Sequence, residues 1–181
     1  MIKHWHDIKL GDKIPKEINV LIEIPKGSST KYEIDKEHGL LFLDRFLHSA
    51  VHYPGDYGFI PQTLGGDGDA LDILVYTNGA VLPQTIANMR PIGVMRMIDQ
   101  GERDDKVLGV YVTEPECDEL QDIKDLPKHA IKVYKEFFET YKNLENKKTK
   151  VVGFLTKKEA HKMIIEGIRD YEKKFQRKHK R

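Results

Sequence analysis

The chain has 181 residues, 39% hydrophobic and 33% charged, with a formal net charge of +1. That make-up fits one globular domain over 1–181, and no apolar run nears the ~18 residues that would cross a bilayer. A single cysteine, Cys117, excludes an intrachain disulfide and a cysteine-held zinc or iron–sulfur centre.

The opening "MIKHWHDIKLGDKIP" lacks the apolar core of a secretory signal, so a cytoplasmic protein with a mobile N-terminal HWH is expected. Short β-branched or apolar runs then predict strands over 18–25, 31–35, 40–44, 71–76, 90–99, 106–112 and 150–155. Turn-forming stretches such as "PKGSS", "GGDGD" and "DQGERDD" separate them. The segment 45–66, rich in Gly, Pro and Tyr, reads as ordered loop. A helix is predicted after Leu126–Pro127, where Ala130, Ile131, Tyr134, Phe137, Phe138 and Tyr141 recur at helical spacing. A second helix opens at Thr156, with Glu159 completing a capping box, and runs through Tyr171 and Phe175 into a basic end over 172–181. Strands first and helices last predict an α+β fold, a small barrel with helices packed outside.

The stretch "GGDGDALDILV" sets Asp67, Asp69 and Asp72 against an apolar strand. Carboxylates so close repel, and one partly protonates unless a cation compensates it. Oxygen-only ligation favours Mg²⁺, Mn²⁺ or Ca²⁺ over softer metals, and Leu71 and Asp72 stand where an EF-hand needs other residues. A second acidic set, Asp99, Asp104 and Asp105 in "DQGERDDK", also follows a strand. Two such loops meeting at one barrel rim would supply five or six carboxylates. Taken alone, either loop also fits a solvated turn.

In "KYEID", Lys31 and Glu33 share a strand face. Glu23, in "VLIEIP", reads as a solvent-facing strand position. Arg45, Tyr53, Tyr57, Tyr141, Lys142 and Lys106 add cations and phenols suited to phosphate oxygens. Neither a P-loop nor a G-x-G-x-x-G cradle is present, so a small, highly anionic substrate is expected. His48 and His52 lack a third partner for a metal and read as structural.

Together, "IEIPKGSSTKYEID", "LDRF", "YPGDYGFIPQT", "DGDALDILV", "RPIGVMRMID", "DDK" and "FFETYKNLE" resemble the soluble family I inorganic pyrophosphatases of prokaryotic type. The resemblance runs from about Gly11 to Lys142, with Ala70 standing where proline is commonest. It implies an OB-like closed β-barrel of mainly antiparallel strands with two flanking helices. It implies Mg²⁺-dependent hydrolysis of pyrophosphate to two orthophosphates, with several ions per site and Mn²⁺ able to substitute, in a homohexamer. It implies Asp67, Asp72 and Asp104 as principal metal ligands, Asp99 for a further ion, and Glu33 and Glu23 in the metal set. Asp69 matches the general base for an activated water. Lys31, Arg45, Tyr57, Tyr141 and Lys142 match the phosphate-binding set, with Lys106 and Tyr53 in support.

Two other classes compete. An OB-like barrel with the tail "KKFQRKHKR" can bind single-stranded nucleic acid, although acidic loops at the rim would repel that polyanion. A metal-buffering module would have no use for cations beside the carboxylates. No nucleic-acid or membrane partner is expected.

Overall fold

Backbone hydrogen bonds close five strands into a ring in the computed structural model, which describes residues 4–35 and 38–175. In chain order the elements are α1 (His4–Asp7), β1 (Ile18–Ile24), β2 (Thr30–Ile34), β3 (Leu41–Phe46), β4 (Asp56–Ile60) and β5 (Leu71–Tyr76). There follow β6 (Ile86–Asp99), β7 (Glu102–Arg103), β8 (Lys106–Tyr111), α2 (Lys128–Thr140), β9 (Thr149–Thr156) and α3 (Lys157–Phe175). The ring runs β1-β4-β5-β8-β6 and back to β1, antiparallel throughout except at β5–β8. β2 and β3 form a separate two-stranded hairpin. The architecture is the expected α+β one, an OB-like closed barrel with α2 and α3 alongside.

Closure depends on the length of β6. Its first residues, Ile86–Met89, pair with β1, its middle with β8, and its far half with β9. The sequence predicts this strand only from Arg90, because Ala87 and Asn88 interrupt the β-branched run. A second correction concerns 45–66, read as loop: Asp56–Ile60 is a strand buried at every position. Gly58 disguises it, since glycine normally marks a turn or bulge. Here the glycine is a packing requirement, because a Cβ at Gly58 would lie 1.9 Å from the Leu21 carbonyl oxygen on β1. A strand buried on both faces also loses the alternation that betrays half-buried strands.

Two main apolar clusters stabilise the barrel. One joins Ile24, Tyr57, Leu74, Met95 and Leu108 to Tyr134, Phe137, Phe138 and Tyr141 of α2 and its end. The other joins Val20, Ile22, Ile73, Val94 and Val107 to Ala160 and Ile164 of α3. The α3 helix starts one residue after the predicted cap Thr156, and the Lys157 amide donates to Asp122 Oδ2 at 3.2 Å. The N-terminal HWH is not the mobile end expected. Trp5 Nε1 donates to the Thr63 carbonyl at 2.8 Å, His6 Nδ1 lies 2.6 Å from the Tyr171 hydroxyl, and Trp5 packs edge-on against Phe175. His48 and His52 lie in irregular chain. The basic end beyond Phe175 lies outside the described residues.

Candidate active site

Parallel pairing of β5 with β8 decides where the acids meet. Parallel neighbours start at the same end of a sheet, so the loops preceding both strands open on one rim. Those loops carry Asp67 and Asp69 before β5, and Asp104 before β8. β6 runs antiparallel to β8, with Met95 opposite Lys106, and so delivers Asp99 to the same rim. A cavity of about 670 Å³ opens there, lined by Asp67, Asp69, Asp72, Asp99, Glu102 and Asp104 from these loops and the adjoining strand ends. The same cavity is lined by Glu23, Glu33, Lys31, Arg45, Lys106, Lys142, Tyr53, Tyr57 and Tyr141, so every residue to which the family resemblance gives a role comes to one place.

The first acidic loop is a tight turn. The Asp69 amide donates to Asp67 Oδ1 at 3.0 Å, and the Gly65 amide to the Asp69 carbonyl at 2.7 Å. Gly68 lies at φ +91°, in the left-handed region where a side chain would be strained. This keeps Asp67 and Asp69 at the exposed lip, while Asp72 enters β5.

Deeper in, the Lys106 ammonium, 3% exposed, donates to both Asp72 and Asp104. Burial works against its charge, but these two carboxylates outweigh burial and raise its pKa. Burial in turn raises the Asp104 pKa, and Asp72 and Asp99 push the same way. Lys142 pairs with Asp99 Oδ2, and Asp99 Oδ1 is buried with no hydrogen-bond partner among the described residues.

Glu23 departs from the sequence expectation. It is buried rather than solvent-facing, because its Oε1 accepts the Ile34 amide at 2.7 Å and so ties β1 to the hairpin. Burial, with Asp72 and Glu33 nearby, raises its pKa to about 8.

The hairpin outside the barrel brings further cations to the cavity. Lys31 and Arg45 are cross-strand partners on the hairpin. Asp44 links them, accepting Arg45 Nη1 at 2.6 Å and lying 2.9 Å from Lys31 Nζ; Lys31 also pairs with Glu33. Behind them Tyr53, Tyr57 and Tyr141 pack against Phe137 and Phe138, with ring centroids 5.0 to 6.4 Å apart. Burial raises all three phenol pKa values, helped by Asp72 at Tyr57 and Asp99 at Tyr141. The three hydroxyls therefore stay protonated and can donate hydrogen bonds at any ordinary pH.

Carboxylates outnumber Lys and Arg nine to five among the residues lining the cavity. With the partnerless Asp99 oxygen and the raised Asp104 and Glu23, that excess fits hard divalent cations. Among the described residues no three acids form a ready-made metal cage. Mg²⁺ does not require one, since it retains several waters and binds through one or two carboxylates plus substrate phosphates.

Not every acid of the second loop faces the cavity. Asp105 is buried behind it, accepting Arg103 Nε at 2.7 Å and the Met97 amide at 3.2 Å. Conversely, the sequence reading passes over Asp35, Arg103 and Glu102, which line the cavity, and Asp44, whose place beside Arg45 on a short strand was the available signal.

Comparisons with known proteins agree with this arrangement. A family model described as inorganic pyrophosphatase matches residues 20–172. Soluble inorganic pyrophosphatase 2 of Chlamydomonas reinhardtii is 46% identical over 94% of this chain and 89% of its own. Soluble inorganic pyrophosphatase 3 of Arabidopsis thaliana is 49% identical over 88% of this chain and 74% of its own. The crystal structure of inorganic pyrophosphatase from Thermus thermophilus superposes with a TM-score of 0.91 at 40% identity, covering 93% of this chain and 99% of that one. The chain therefore belongs to the inorganic pyrophosphatase family.

Proposed function

We propose that the chain hydrolyses inorganic pyrophosphate to two orthophosphates with the help of divalent cations. One observation carries this reading: in a chain of this family, an excess of carboxylates lines a single cavity together with Lys, Arg and Tyr donors. Asp67, Asp72 and Asp104 would hold the principal cations, Asp99 a further one, with Glu33 and Glu23 in support. Mg²⁺ is the natural occupant, and Mn²⁺ a substitute. Such ions supply charge neutralisation and bring a water's pKa from 15.7 toward about 7.

The protein's own groups do the rest. Asp69, at the exposed lip beside Asp67, accepts the proton of the attacking water. Lys31, Arg45 and Lys142 pair with phosphoryl oxygens and stabilise charge on the leaving orthophosphate. Tyr53, Tyr57 and Tyr141 donate hydrogen bonds from their hydroxyls to the same oxygens. Lys106 holds Asp72 and Asp104 side by side.

The acid excess at the rim opposes a nucleic-acid strand, and no helix among the described residues is long and apolar enough to cross a membrane. A reducing compartment such as the cytoplasm suits the lone buried Cys117. Light scattering reads the mass of the homohexamer directly. The activity is tested by orthophosphate release from pyrophosphate with Mg²⁺ and then excess chelator. Release that stops on chelation supports the reading; no release from folded, Mg²⁺-loaded protein overturns it.

A further inference from the structure

We propose that Glu145 is a positioning residue for substrate binding: it fixes the Arg45 guanidinium and fastens the β2–β3 hairpin to the turn carrying Lys142. The inference rests on the pyrophosphatase reading and deepens it.

Arg45 sits on a hairpin that forms no ladder with the barrel. A two-stranded ribbon is marginally stable by itself, so its phosphate-facing side chains need anchoring from outside. On the β2 side the anchor is Glu23, which accepts the Ile34 amide. On the β3 side it is Glu145, one hundred residues from Arg45 in sequence, whose Oε1 accepts Arg45 Nε at 3.0 Å. The Glu145 side chain is 6% exposed, against 21% for Arg45, so the pair is partly shielded from water.

The local chain explains why Glu145 reaches that far. It ends a single 3-10 turn, Asn143–Glu145, directly after α2. The Glu145 and Lys147 amides both donate to the Lys142 carbonyl, at 3.0 and 3.3 Å, and Asn146 stops the turn in the left-handed region at φ 57°. One short turn thus sends Lys142 to Asp99 and Glu145 to Arg45. Lys147 Nζ donates to the second Glu145 oxygen at 3.2 Å and fixes the carboxylate plane.

Glu145 is not among the residues lining the cavity, whereas Arg45 is. It therefore acts through the guanidinium. Asp44 holds Nη1 and Glu145 holds Nε, which leaves the remaining N–H donors of the fork for a phosphoryl oxygen. Ordering a long arginine before the substrate arrives removes a cost that binding would otherwise carry.

The test is a double-mutant cycle on Mg²⁺-dependent pyrophosphate turnover, with wild type, Glu145→Ala, Glu145→Gln, Arg45→Ala and Glu145→Ala/Arg45→Ala. Glu145→Ala is expected to raise KM about tenfold while kcat changes less than about threefold. Glu145→Gln, whose amide oxygen still accepts from Nε, stays within about threefold of wild type in KM. In the Arg45→Ala background, Glu145→Ala changes kcat/KM less than about twofold, because its route is already cut. Multiplying effects in the double variant, or a Glu145→Ala loss confined to kcat, overturns the positioning role while wild-type turnover keeps the pyrophosphatase reading. Absence of wild-type turnover overturns both.

Discussion

Two groups of residues lining the cavity are held in place by different means. On the acidic side, Asp72, Asp99 and Asp104 are spaced by the barrel, because β5, β6 and β8 are bonded neighbours and their ends cannot drift apart. On the cationic side, Lys31 and Arg45 ride on a ribbon outside the barrel and are oriented by ion pairs with Glu33, Asp44 and Glu145. The backbone thus fixes the groups that must converge despite mutual repulsion. Side-chain pairs fix the groups that need only meet a flexible anion. Acid-side substitutions should therefore damage chemistry and charge balance, and cation-side substitutions should damage affinity.

Asp69→Asn tests the acid side most severely. With the loop intact and the proton acceptor gone, kcat should fall about 10²- to 10⁴-fold with little change in melting temperature. Turnover near that of wild type would free Asp69 from its role.

Glu23→Gln probes the same side through pH. A carboxyl raised from 4.5 to about 8 on folding binds its proton more tightly in the folded state. It therefore favours folding below pH 4.5, and that contribution is lost as pH climbs toward 8. In chelator, Glu23→Gln should gain stability over wild type across that window, by about 3 kcal/mol at pH 7. Melting curves at pH 5 and 8 read it, and a gap that does not widen with pH would contradict the buried-acid account.

Arg45→Ala addresses the hairpin cations. The loss of a charge-assisted phosphate contact should raise KM about 10- to 100-fold, with a smaller effect on kcat. A loss mainly in kcat would place Arg45 with the acids instead.

Lys106→Ala is the smallest expected change. Metal-free protein should lose about 1–3 kcal/mol, because Asp72 and Asp104 then face each other without the ammonium. Adding Mg²⁺ should recover part of that loss in a thermal melt. Identical losses with and without Mg²⁺ would separate Lys106 from the cation site.

Legibility in the sequence follows the same division. Asp67, Asp69 and Asp72 are readable because their relation is local: three acids, three glycines and an adjoining strand. The shared face of Lys31 and Glu33 follows from alternation. The parallel β5–β8 pairing that brings the loops together leaves no local trace, and it entered the reading only as a possibility of convergence. β4 is hard to read because Gly58 is required beside the Leu21 carbonyl, and the burial of Glu23 leaves no local sign because its partner amide belongs to a different sheet. Glu145 was missed for the plainest reason, a contact spanning one hundred residues.

Calorimetric titration of Mg²⁺ into chelator-treated protein, comparing wild type, Asp72→Asn and Arg45→Ala without substrate, tests the division of labour most directly. The account predicts at least tenfold weaker Mg²⁺ binding in Asp72→Asn and unchanged binding in Arg45→Ala. Equal weakening in both variants, or no Mg²⁺ binding by the wild type, would contradict it.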